Sequence, residues 1–311
     1  MWTFSLLKAL ALWVRLAPLL AVRLAVFASL ALGAGLAAWT GAWAAFVMGP
    51  AHGQGGLALD PVSGALTGGV IAAVVLAIWQ ARRLAVQQAL LIALISDLHD
   101  GLRLPLGPGQ IGHARSAVAA RFGSVADLQA LARHVRSVTG VIPALAEGGG
   151  LLALPFLGRL AQGGLVDRVV LAHAYRARPE NAWEAAHDAL VLATQNGRDL
   201  LATAARLTAA GWAVTAALVL LLAQPLAGLS ATWPGNGPVG AHVGAALLAL
   251  ALRAALVQPF LAACLWQMFQ GLVAGQAPLG EWRGRLTRVS VPFRTLGEKA
   301  LSWAPDGRGA A

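Results

Sequence analysis

The chain has one cysteine among its 311 residues, Cys264, set inside an apolar run. A lone thiol excludes an intrachain disulfide and a cysteine-based metal site. Charge is also scarce. Charged residues make up 12% of the chain, against ~25% in a typical soluble domain. The scarcity is uneven: residues 49–60 and 230–240 carry no Lys or Arg, although the chain has 23. Familiar catalytic signatures are missing. There is no H-E-x-x-H and no G-x-S-x-G. The stretch 107–112 lacks the Lys-Ser/Thr of a phosphate loop and reads as a turn. Asp97-Leu98-His99-Asp100 spreads its side chains over different helical faces, so it reads as a solvated helix end. His113, His134, His173 and His187 are scattered along the chain. No catalytic residue, metal site or cofactor is expected.

What is present is hydrocarbon. Apolar residues make up 58% of the chain and the mean hydropathy is +0.68. Four runs reach the roughly 20 residues needed to cross ~30 Å of bilayer: 24–48, 61–80, 207–229 and 241–269. The two stretches without Lys or Arg join these runs in pairs, and every basic residue except Arg253 lies beyond their other ends. By the positive-inside rule, the short loops face outward and both termini are cytoplasmic. The net charge of +10 is spread over flanks beside the apolar runs, as suits an anionic lipid surface rather than nucleic acid. Ala42-Trp43-Ala44 matches a signal-peptidase pattern, but the run before it is of full spanning length, so an uncleaved first helix is expected. Abundant Ala and a strong preference for Arg over Lys suggest a bacterial gene and an inner-membrane location.

The expected fold is an all-α integral membrane bundle with amphipathic or re-entrant helices on the cytoplasmic side. Residues 1–100 hold an interfacial helix (2–23) and the first pair of spans. Residues 101–206 form a helical region. Within it, 118–138 share one apolar face, 141–175 are apolar but broken by Pro and Gly, and a helix opens at Pro179. Residues 207–271 hold the second pair of spans, and 272–311 form a tail with one short amphipathic helix. Ala31-x3-Gly35 and Ala37-x3-Gly41 are small-residue pairs that admit a neighbouring helix at close range.

Arg253 stands near the middle of the last run, where an Arg costs ~2.5–3.5 kcal/mol and needs a partner. Asp167 is the expected partner. Gln258-Pro259 follows, and Pro259 removes a helical hydrogen bond and should kink the helix. Arg253, Gln258 and Asp167 are therefore the candidate intramembrane polar site.

At Leu165-Val166-Asp167 through Tyr175, Asn181-Ala182-Trp183 through Gln195-Asn196, and Gln258-Pro259-Phe260 through Gly275-Gln276, the chain resembles an uncharacterised family of bacterial multi-pass inner-membrane proteins. The resemblance implies an acid before the Pro-Phe pair, where this chain has Gln258. A fainter likeness of the last two spans is to choline-transporter-like proteins. The leading functional expectation is a non-enzymatic membrane scaffold or accessory subunit. Its partners would be the lipid bilayer and a second copy or another membrane protein. The alternatives are a small-solute channel or transporter and a membrane-embedded lipid-modifying enzyme.

Overall fold

The computed structural model describes residues 5–48, 61–102, 104, 105, 107, 109–145, 164–177, 181–232 and 237–303. No strand occurs among them, and the fold is all-α. Among the described residues, four helices are long and apolar enough to cross a membrane: Ala17–Met48, Pro61–Gln80, Gly197–Ala223 and Gly240–Val273. The chain forms two compact units. One combines Met1–Leu19, Ala85–Ala210 and Gln258–Ala311; the other combines Leu20–Leu84 and Gly211–Val257.

The first unit is built from short helices around a common core. The helix α1 (Leu6–Arg15) is capped by the Ser5 hydroxyl, which accepts from Lys8 N. It packs on α11 (Gln258–Val273), where the Gln267 amide donates to Ser5 O at 3.3 Å and accepts from Ala9 N at 3.1 Å. Leu6, Leu7, Leu10 and Val14 of α1 remain exposed. The helix α3 runs unbroken from Pro61 to His99, so the apolar stretch after residue 84 continues the second span without a turn.

Several boundaries correct the sequence reading, each for a local reason. The shared apolar face of 118–138 belongs to two helices, α4 (Gly109–Phe122) and α5 (Val125–Thr139). Gly123 at φ +77° ends the first, a conformation that glycine adopts without steric penalty. Ser124 then caps the second by accepting from Asp127 N. Of the broken apolar region, α6 (Ile142–Leu145) and α7 (Leu165–Ala177) are described, while 146–163 lie outside the described residues. The helix expected from Pro179 starts later, at Ala182. Asn181 supplies the cap, its Oδ1 accepting from Trp183 N and Glu184 N at 3.1 Å each. That helix, α8 (Ala182–Gln195), ends at Asn196, and α9 (Gly197–Ala223) follows. The third span stops at Ala223 because Pro225 opens a 3-10 segment, Pro225–Thr232. The expected single helix in the tail is two, α12 (Gly280–Val289) and α13 (Val291–Ser302), divided at Ser290. Leu286, Phe293 and Leu296 are fully buried, so this tail is core.

The second unit contains most of the apolar spans. In α2 (Ala17–Met48), Gly41 lies against the backbone of Gly64 on α3, and Ala37 against Gly68. Gly35 meets Leu247 of α10 (Gly237–Leu252) more loosely: a Cβ added there would stand 3.7 Å away. Ala31 and Gly35 instead border an open cavity of about 510 Å³, completed on α10 by Gly240, Val243, Gly244 and Leu247.

Candidate functional site

The helix α7 concentrates the polar groups of the first unit. Its thirteen residues include Asp167, Arg168, His173, Tyr175 and Arg176. Burial of its apolar positions, Val166, Val169, Val170 and Ala174, fixes the helix against α5, α8 and α11. The polar side chains must therefore find partners inside the unit, because a buried polar group without a hydrogen bond is costly.

Asp167 finds two. Arg136 Nε donates to Oδ2 at 3.2 Å, and the Thr139 hydroxyl donates to Oδ1. The carboxylate expected to pair with Arg253 is bound by a cation and a hydroxyl of α5. Arg168 Nη2 donates to Gln258 Oε1 at 2.9 Å. Burial lowers the Arg168 pKa to about 10; Asp167 opposes that shift and Arg136 adds to it. Asp167 and Gln258 thus belong to one unit, and Arg253 to the other.

Further along α7, Tyr175 donates to Asp97 Oδ1 at 3.1 Å, and His113 Nε2 approaches Asp97 Oδ2 at 3.2 Å. Burial and the Asp97 carboxylate push the Tyr175 phenol well above its ordinary value. The Arg121 guanidinium stands 5.2 Å from the Tyr175 ring centre. Arg176 binds Asp100 at 2.6 Å and also donates to Gln270 Oε1 at 2.8 Å. That second bond orients the Gln270 amide, so its Nε2 faces His173 Nδ1 at 3.1 Å. An amide N–H needs an acceptor, so His173 Nδ1 must offer a lone pair and the ring is neutral. Burial, with Arg176 adding to it, pushes the His173 imidazole down to about 4.

The Asp97–His113 couple was not legible in the sequence. An acid-oriented imidazole is one part of a nucleophilic triad. The other part is missing among the described residues: no hydroxyl or thiol bonds His113, and Cys264 is buried elsewhere in the unit, on α11. Nor does any group of three His, Cys, Asp or Glu suited to a metal occur among the described residues.

In the second unit, Arg253 stands over Trp212, with Cζ 3.5 Å from the ring centre, and is 7% exposed. Stacking on an indole is a good solution for a desolvated guanidinium. The expected disruption at Pro259 takes the form of a π turn, Arg253–Val257. In a π turn the carbonyl of residue 254 would look to the nitrogen of residue 259, and proline has no hydrogen to give. Arg23 fills the gap: its Nη2 donates to Ala254 O at 3.0 Å. A charge-assisted bond of this kind contributes ~1.5–3 kcal/mol. Nothing in the local sequence marks Arg23 as a cap for a carbonyl 231 residues away.

No protein-family model, curated protein or solved structure matches this chain. The class defined here is therefore the coarse one, an all-α protein with four helices fit to span a membrane.

Proposed function

We propose that the protein is a non-enzymatic scaffold or accessory subunit of the bacterial inner membrane, with both termini cytoplasmic and a second copy or another membrane protein as partner. The observation that carries this reading is the commitment of the buried acids. Asp97 is divided between Tyr175 and His113, and Asp167 between Arg136 and Thr139, so neither carboxylate is free to act as a base or to receive a solute. The cavity beside α2 supports the same reading. Its walls are predominantly apolar and suit a polar solute poorly. The orientation rests on the basic residues flanking the spans.

A small-solute transporter is the second reading. In its favour is the π turn beside buried Arg253, because π turns recur at functional sites. Uptake into proteoliposomes separates the two. With radiolabelled choline, an amino-acid mixture and glucose, the scaffold reading expects uptake no faster than in protein-free liposomes. Gradient-driven uptake that is abolished by Arg253→Met would overturn it and establish transport.

A further inference from the structure

An open groove of about 480 Å³ lies between α5 and α13 in the first unit, outside the four helices fit to span a membrane. That volume falls within the ~300–1,000 Å³ of small-molecule sites. Helical spacing sets its walls in two stripes. Arg133, His134 and Ser137 share one side of α5, and Val291, Thr295 and Lys299 share one side of α13. None of the residues lining the groove is acidic.

Both cations are spare. Other arginines of this unit hold carboxylates: Arg136 holds Asp167, Arg176 holds Asp100, and Arg283 holds Asp188. Among the described residues, the Arg133 side chain meets no hydrogen-bond or ion-pair partner, and the Lys299 ammonium meets only the Trp183 ring, 5.1 Å from its centre. The same indole, buried on α8, takes the His134 ring edge-on at 5.4 Å, so one core side chain places both groups. His134 Nδ1 lies 2.8 Å from Ala130 O. A carbonyl only accepts, so Nδ1 bears the hydrogen and Nε2 is the ring's remaining polar atom.

We propose that this groove binds a phosphate monoester, with Arg133 and Lys299 taking its oxygens. A carboxylate is matched by one guanidinium, whose fork meets both oxygens. A phosphate monoester has three acceptor oxygens and a charge of about −1.5 to −2, which calls for a second cation. The planar fork of Arg133 and the point charge of Lys299 meet that demand together. The groove exceeds a phosphate group in size and leaves room for the organic body of the ester. Val291, 61% exposed, offers that body an apolar contact. The ester reaches the groove either as a dissolved metabolite or as the headgroup of phosphatidic acid.

The test uses the full chain in a non-ionic detergent. Radiolabelled glycerol phosphate, measured by equilibrium dialysis, probes the dissolved source. Dioctanoyl phosphatidic acid, titrated by native mass spectrometry, probes the lipid. Saturable binding of at least one of the two is expected. Arg133→Gln with Lys299→Gln should weaken it at least tenfold. Arg115→Gln with Arg198→Gln removes the same charge from α4 and α9 and should change it less than twofold. All four side chains are exposed, so neither pair threatens the fold. Glycerol phosphate binding that the first pair abolishes assigns the groove to a dissolved ester. Binding of phosphatidic acid alone, abolished by the same pair, assigns it to a lipid headgroup. The proposal is overturned if neither probe binds saturably, or if the two pairs weaken binding equally.

Discussion

Gly41→Leu is expected to destabilise the protein by about 3 kcal/mol or more, the upper end for overpacking, because the obstacle is backbone. A Cβ on Gly41 would run into the Gly64 carbonyl, and one on Gly64 would stand 2.6 Å from the Ala45 Cβ. Side chains can rotate away from an added methyl, but a helix carbonyl cannot without breaking its own ladder. Ala37 and Gly68 repeat the contact one turn away, so α2 and α3 would have to separate along this face. Gly35→Ala is the matched control. Its new methyl would meet Leu247 at 3.7 Å, an ordinary contact, beside a cavity that can absorb it. A change within about 0.5 kcal/mol is expected there, as for substitutions that touch no such feature. Reversible unfolding in mixed detergent–SDS micelles measures both. If Gly41→Leu matches Gly35→Ala, the close approach of the two helices is not what holds the pair together.

Acid should weaken the first unit through His173. Its imidazole falls from the ordinary 6.5 to about 4 because it is buried beside Arg176. The unfolded chain therefore binds more protons than the folded one between those values. Stability is full above ~6.5 and is lost as pH falls toward 4, by up to roughly 3 kcal/mol. Protonation would also set a ring N–H against the Gln270 amide N–H, so the hydrogen bond fails at the same time. Denaturant midpoints between pH 7 and 4 should decline steeply in the wild type and more gently in His173→Asn. Equal slopes would show that His173 is not the group that takes up the proton.

The spans were legible because hydrocarbon leaves little choice: about 20 apolar residues between polar flanks can be read without tertiary information. The local caps at Ser124, Asn181 and Ser290 stood in the sequence as short polar residues ahead of apolar helical faces, yet the helices there were drawn too long. Gly123 makes the difficulty plain. Whether a glycine ends a helix or is tolerated inside it depends on the packing on both sides of it. The two small-residue pairs of α2 show the limit again. Ala31-x3-Gly35 and Ala37-x3-Gly41 are alike in sequence, yet one borders a cavity and the other carries the helix contact. The polar partners were the least legible. Arg168 with Gln258 and Tyr175 with Asp97 are separated by 90 and 78 residues, and only the folded position of α7 brings them together. The expected bond between Arg253 and Asp167 followed from treating each as a lone charge in an apolar run. Asp167 has a cation on α5, and Arg253 an indole.

The central proposal is the threading, with four crossings that put residues 49–60 and 230–240 on one face of the membrane and Ser137 on the other. Cysteine labelling tests it in a Cys264→Ser background, which removes the native thiol. A membrane-impermeant maleimide applied to intact spheroplasts should modify His52→Cys and Ser230→Cys at once. It should reach Ser137→Cys, on the exposed side of α5, only after the membrane is permeabilised. Labelling of Ser137→Cys in intact spheroplasts would contradict the account.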